Sequence, residues 1–352
     1  MLPKGALGGG VSLLLWWTAM VAAQPSAVHP PPALAPQGAT APGPPKSDSL
    51  PRRLDLPGVP NAIQLHERVI SGGLPEGEAA FAALAQADVK TIISVDGARP
   101  DVETARKFGL RYVHLPHGYD GISHDRLVTL AKAIQELPGP IYIHCHHGKH
   151  RSPAAAASGC VAAGLVSKSV ALSVLQMAGT SPNYRGLFQA VQQAEPLAAA
   201  QIAEHPVEFR EVAPVPPLAA AMVDIDEIFE RIKQLAAAGW GRVPSQPDLD
   251  AAHEVLLLKE QYRELARLES VTRQPAAFRE LLGEAEATAG KLESELRQWQ
   301  RLGSRPPAPE GIGRLYQRVE DQCRQCHQRF RDVPLSERHP PDEKPSRPSQ
   351  KP

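Results

Sequence analysis

Two rhythms of apolar and polar positions divide this sequence. Between residues 60 and 200, short apolar runs of a strand-like kind alternate with helix-like ones. The runs Arg68–Gly73, Val89–Val95, Arg111–Leu115 and Ile141–Ile143 predict strands. Segments 76–87, 101–108, 123–137, 154–163, 168–178 and 184–195 predict helices between and after them. Near-continuous β-branched runs belong to strands buried on both faces, and alternation with helices predicts an α/β fold with a mostly parallel sheet flanked by helices.

Beyond residue 220 the rhythm changes to steps of three and four. Ile225, Ile228, Phe229, Ile232 and Leu235 form one such stripe, and residues 251–268, 275–299 and 312–330 carry three more, with no strand pattern between them. Amphipathic helices in that number predict an all-α four-helix bundle. The 36 prolines, clustered at residues 25–60, 206–217 and 334–352, mark the joints. The resulting division is an export signal at 1–23, a Pro-rich tether at 24–55, an α/β domain at 56–200, a Pro-rich linker at 201–220, the helical domain at 221–333 and a disordered tail at 334–352. The proline-rich joint predicts semi-independent domains.

Residues 1–23 have the parts of a secretory leader: Lys4, a short apolar core from Leu7 to Val21, and the small residues Val21-Ala22-Ala23 before Gln24. This places the protein in the periplasm or otherwise outside the cytoplasm, with cleavage after Ala23. An uncleaved segment would make it a membrane anchor instead. With 38 basic and 38 acidic side chains there is no global field to attract nucleic acid, so any preference for anions is local.

That local preference is written in His144-Cys145-His146-His147-Gly148-Lys149-His150-Arg151-Ser152, where an apolar strand runs into a tight loop and then an alanine-rich helix. A loop wrapped on a helix N-terminus aims backbone N–H groups at one point, where the helix dipole adds positive charge. Residues 146–151 form the expected phosphate cradle, and the same field, with Arg151 and Lys149, favours a thiolate on Cys145. Arg151 offers a planar fork to phosphate oxygens, and Ser152 can hydrogen-bond the leaving thiolate. The histidines also admit a metal-cluster reading, and the loop a sulfur-transfer reading of rhodanese type.

The spacing HCxxGxxR[ST] resembles the signature loop of the cysteine-dependent protein-tyrosine and dual-specificity phosphatases, with Cys145, Gly148, Arg151 and Ser152 at its defined positions. The resemblance implies a phosphomonoester hydrolase with Cys145 as nucleophile and an Asp on a loop upstream. That loop is Pro116–Ile122, so Asp120, between Gly118 and Gly121, is the expected acid and base. Asp125 competes, but it falls in the first turn of a helix capped by Ser123. Asp96, at the end of a strand, can face the site; a turn role is the preferred reading. The basic loop resembles the phosphoinositide-directed branch, which implies a densely anionic phosphoester without excluding phosphorylated protein. Cys160 is either a resolving thiol for Cys145 or a small core residue.

The last helical segment contains Cys323-Arg324-Gln325-Cys326-His327. In an exported chain Cys-x-x-Cys-His reads as covalent attachment of haem c, with Cys323 and Cys326 as thioether sites and His327 as axial iron ligand, which would require cytochrome maturation machinery. A redox disulfide and a zinc site are the alternatives. A helical block ending in this motif and Phe330-Arg331 is similar to the cytochrome c prime group. That similarity implies a distal haem face from residues 222–235, with Met222 as a ligand or Phe229 or Ile228 as an apolar lid. The two resemblances together imply a phosphatase tethered to a haem block that senses redox state or gas or carries electrons. Their rival is a haem sensor whose phosphatase-like domain only binds a phosphorylated partner.

Overall fold

The computed structural model describes residues 50–304 and 307–338. The leader, the tether up to residue 49 and the tail from 339 lie outside the described residues. Among the described residues no helix is long and apolar enough to cross a membrane.

The α/β block is one six-stranded sheet in the order β1-β2-β3-β6-β4-β5. Its strands are β1 (Arg52–Arg53), β2 (Ile63–His66), β3 (Val69–Gly72), β4 (Thr91–Ser94), β5 (Arg111–His114) and β6 (Ile141–His144). The four strands expected from apolar runs, β3, β6, β4 and β5, pair in parallel, while β1 and β2 add an antiparallel edge. Since β1 lies within residues 24–55, the expected tether ends earlier than its composition indicated. Two arginines in so short a strand carry no apolar period, and only pairing to Ile63 and Gln64 makes them β.

Helices cover both faces. On one face α3 (His124–Glu136), α4 (Arg151–Ala162) and α5 (Lys168–Ala178) bury Leu130, Ile134, Ala155, Ala156 and Val174 against Ile93, Ile141 and Ile143. On the other, α1 (Gly77–Gln86) and α2 (Val102–Lys107) bury Phe81, Leu84 and Ala105 against Ile92, Tyr112 and Tyr142. Each fully buried aliphatic side chain contributes about 1.5–3 kcal/mol. The alanines of α4 let it lie close to α3: a Cβ on Gly159 would come within 2.8 Å of Ile134. Its further neighbour is α6 (Arg185–Gln193).

The expected linker is ordered. Its first part is α7 (Ala199–Glu204), which seats Ile202 against Ala131 and Ala162. Residues 205–216 then follow the exposed edge of β5, where Arg210 accepts from the His114 N–H at 2.8 Å and the Ala213 N–H donates to His114 Nδ1 at 3.1 Å. Prolines tolerate this because an edge segment needs few donors.

The helical block has its own core, built by α8 (Pro217–Ala237), α9 (Ala251–Arg267), α11 (Ala276–Arg301) and α12 (Glu310–Cys326), with a single turn, α10 (Glu269–Thr272), after α9. Ile228, Ile232, Val255, Leu258, Leu292, Leu296 and Val319 fill it, as the stripes predicted. The last helix widens into a π turn at His327–Arg331, and residues 335–337 make one 3-10 turn. The expected tail therefore begins with ordered residues that carry contacts described below.

Candidate active site

The carboxyl ends of β3, β6 and β4 stop in register at Gly72, His144 and Ser94. Ligands of open α/β sheets bind beyond such ends. The loop that leaves β6 there is tied outward by its carbonyls: His146 O accepts from the Leu74 N–H at 2.9 Å, Gly148 O from Asn61 Nδ2 at 2.9 Å and Lys149 O from Thr180 Oγ1 at 2.6 Å. Because each peptide is planar with C=O and N–H opposed, anchoring these carbonyls turns the N–H groups of His147, Lys149 and His150 to the loop's inside. Gly148 has φ of +69°, and a Cβ there would lie 2.4 Å from Gly73 N. No other residue fits.

Cys145 lies at the cradle's floor, 3% exposed. Its Sγ is 3.3 Å from Ser152 Oγ, which donates to Gly72 O at 2.8 Å. The serine proton is thus parked on a carbonyl and can rotate to the sulfur when a thiolate forms. Below, His144 Nε2 and the phenol Oη of Tyr112 meet at 2.5 Å, and burial pushes the His144 imidazole down to about 4, so it is neutral.

Arg151 opens α4, and its guanidinium grips Asp96 through two bonds, Nη1 to Oδ1 at 3.2 Å and Nη2 to Oδ2 at 2.9 Å. The two side chains are 11% and 10% exposed. Burial would raise the Asp96 proton affinity, but Arg151 and the N–H groups of Ala98 and Gly97 outweigh it and hold the carboxylate ionised. For Arg151, burial alone would favour the neutral form; Tyr119, Asp96 and Cys145 overcome it and keep the cation. Asp96 Oδ2 also accepts from His146 N–H at 2.6 Å. The turn role preferred for Asp96 was therefore incomplete: it does bond Gly97 and Ala98 in its own turn, yet it also occupies the Arg151 fork and the His146 N–H, donors a phosphate would use. Its position just past β4 was the available signal.

The histidines do not converge. His146 and His147 pack edge to face at 4.4 Å, whereas the ring of His150 lies against Tyr184 at 4.5 Å, so His150 serves the cradle through backbone alone. The rings of His146 and His147, with Lys149, Arg53, Asn61 and Glu76, line a cavity of about 610 Å³ beside the loop. Cys160 is fully buried among Leu130, Ile134 and Ala156 of the core cluster, and burial raises its thiol strongly. That is a core position.

In the upstream loop, Tyr119 lies over Arg151, with the guanidinium 4.6 Å from its ring centre. Asp120 follows, its side chain 15% exposed and its carboxylate 3.0 Å from Arg338 Nη2. Burial raises its proton affinity, and Arg338 opposes that shift. Asp125 sits in the first turn of α3, 84% exposed, with Ser123 capping as expected. His117 is half-buried, but both of its ring nitrogens are covered and unpartnered, and burial beside Arg151 and Arg126 pushes the ring to about 3. Neither Tyr119 nor His117 carried a sequence signal, because their neighbours are distant in the chain.

At the end of α12, Cys323, Cys326 and His327 are free of disulfide and half-buried, spaced to share a helix face. The Cys323 Sγ is 3.4 Å from Tyr262 Oη, and both thiols touch the bundle core. Beside them the Gln322 side chain is buried with neither amide atom partnered, leaving a donor and an acceptor for a polar ligand group. Two thiols, an imidazole and this orphaned amide fit a covalently held haem. Of the expected distal residues, Ile228 is buried, Met222 borders the core and Phe229 stacks on Tyr316 at 6.0 Å, which puts α8 near the motif's helix.

No protein-family model matches the sequence, and no curated protein is similar to it. Solved structures similar to the chain include TpbA of P. aeruginosa, at 24% identity over 42% of this chain and 92% of that one, with a TM-score of 0.37. They also include the catalytic domain of the PP-IP phosphatase SIW14 of S. cerevisiae with citrate, at 14% identity over 42% and 92% with a TM-score of 0.36. A third is PTPMT1 in complex with PI(5)P, at 17% identity over 36% and 92% with a TM-score of 0.30.

Proposed function

We propose that this chain is an exported phosphomonoester hydrolase that works through a phosphocysteine intermediate and carries haem c on its helical block. The observation that carries the hydrolase reading is the cradle: outward-tied carbonyls, inward N–H groups and Arg151 around the single thiol Cys145. A phosphate dianion entering it displaces the Asp96 carboxylate from His146 N–H and draws part of the Arg151 fork to its own oxygens. The Cys145 thiolate then attacks phosphorus; the S–P bond forms, the P–O ester bond breaks, and Asp120 gives its proton to the departing oxygen. Water next attacks the phosphocysteine, Asp120 takes the water's proton, and the thiolate leaves with the Ser152 hydroxyl turned to it. Arg53, His146, His147 and Lys149 beside the cradle favour a densely anionic phosphoester such as an inositol or sugar phosphate, with a phosphorylated protein the other candidate.

For the haem, Cys323 and Cys326 would form the thioethers and His327 would bind iron, which requires cytochrome maturation machinery. When bound, haem would supply electron-transfer or gas-binding chemistry. A reduced pyridine-haem spectrum, absent in Cys323→Ser/Cys326→Ser, tests this.

Cys145→Ser should abolish p-nitrophenyl phosphate hydrolysis and keep tungstate binding. Turnover retained in that variant would sink the hydrolase reading. A second reading, a haem sensor that only binds a phosphorylated partner, is favoured by the hold of Arg338 on Asp120; it predicts phosphopeptide binding without turnover in the unaltered chain.

A further inference from the structure

The residues just past the haem motif reach back to the phosphatase site. Asp332 N–H donates to His327 O at 2.9 Å, and its carboxylate pairs with Arg331 Nε at 2.7 Å. The Arg331 guanidinium then lies 4.2 Å from the Tyr119 ring centre, and Arg151 lies 4.6 Å from the same ring. Tyr119 thus packs against two guanidinium groups, one from each block, a contact that cation–π attraction favours. Four residues past Arg331, the Leu335 N–H donates to Asp120 O at 2.8 Å, Glu337 takes Arg185 in a two-bond pair at 2.6 and 2.8 Å, and Arg338 meets the Asp120 carboxylate at 3.0 Å. The fit is tight beneath: a Cβ on Gly186 would fall 2.0 Å from Asp120 O.

Building on the phosphatase reading, we propose that the strap Arg331–Arg338 is a positioning element of that reaction, with Arg331 holding Tyr119 against Arg151 and Arg338 holding the carboxylate of Asp120. Arg151 binds phosphate and Asp120 moves the proton, so the strap touches both functions through one loop without contacting substrate. The charged and titratable groups around Asp120 are Arg338 and Asp332 from the strap, the Arg185–Glu337 pair between α6 and the strap, His117 and Tyr119 of its own loop, and Arg331 and Arg151 against Tyr119. Of these, Arg338 is the cation in direct contact. Its charge favours the ionised form of Asp120 against the effect of burial. The unaltered strap therefore lowers the pH at which this carboxyl loses its proton, while burial, the larger effect, keeps it above the ordinary carboxylate value.

The test is the Asp120 carboxyl titration followed by carbon-13 NMR in the full chain, with Asp120→Asn to identify the signal. In Arg338→Met the midpoint should rise by about half a unit or more, and in Arg338→Lys it should return toward the starting value. The basic limb of the kcat profile should move with it. Arg331→Met should raise amide exchange at residues 117–121 by about tenfold while α4 stays protected. An unmoved midpoint together with unmoved exchange would overturn the proposal. If the unaltered chain hydrolyses no phosphoester, the phosphatase reading fails, yet titration and exchange still decide whether the strap holds the loop.

Discussion

Replacing Asp96 by Asn should weaken the fold and, at the same time, strengthen the cradle's hold on anions. Asn keeps the size and can still accept from His146 N–H, but it removes the negative charge that faces a guanidinium only 11% exposed. Breaking a buried ion pair from one side costs about 3–5 kcal/mol. The retained hydrogen bond and the contact of Arg151 with Tyr119 return part of that, so the expected loss is about 2–3 kcal/mol. In a domain of this size the melting temperature would fall by about 5–10 °C. Urea unfolding is the assay, with a lower midpoint at an unchanged slope. Phosphate should repair the defect: at a hundred times its dissociation constant it stabilises by about 2.7 kcal/mol, enough to restore the variant. The proton affinity of Asp96 is lowered in the fold, so the pair's contribution is complete above pH 3.8, the ordinary carboxylate value, and is lost as pH falls below it. The gap between variant and parent should therefore close in acid. A loss below about 1 kcal/mol, or a variant that phosphate stabilises less than the parent, would refute the reasoning, because the pair would then be screened by water or would not share donors with the cradle.

Gly148→Ala forces a side chain into the left-handed region and onto the Gly72–Gly73 backbone, at 2.5 and 2.4 Å. Tungstate binding should drop by about tenfold or more and stability by about 2 kcal/mol, read by calorimetry and urea unfolding. Gly186→Ala drives a methyl into Asp120 O from the far side of the site. It should lower kcat while leaving tungstate affinity within about twofold, since the cradle is untouched.

What could be read from the sequence was whatever depends on near neighbours. The strands β4, β5 and β6 are apolar runs, the cradle is a nine-residue word, and the bundle helices are stripes; each needs only local spacing to be recognised. Ser123 capping α3 belongs to the same class. The rest depends on pairing across distance. Arg52 and Arg53 become a strand because β2 lies beside them, and the proline-rich joint is ordered because the edge of β5 offers it His114. Asp96 had a turn role in plain sight that hid a second one, since an aspartate bonding its own turn looks the same in sequence as one that also reaches an arginine 55 positions later. The strap is the extreme case: Leu335, Glu337 and Arg338 sit in a proline-rich, charged run that reads as solvated chain.

That strap also sets an order in time. Cys145, Arg151 and Asp120 are synthesised well before Arg331 and Arg338, which lie beyond the whole helical block. At roughly 5–20 residues per second, about 10–40 s separate Asp120 from Arg338 on the ribosome. A chain cut short between α6 and α12 would keep its thiol, its cradle and the loop of Asp120, and lack the segment that braces that loop. The loop of Asp120 is thus braced only once the segment beyond α12 has been made and comes to rest against residues made long before it.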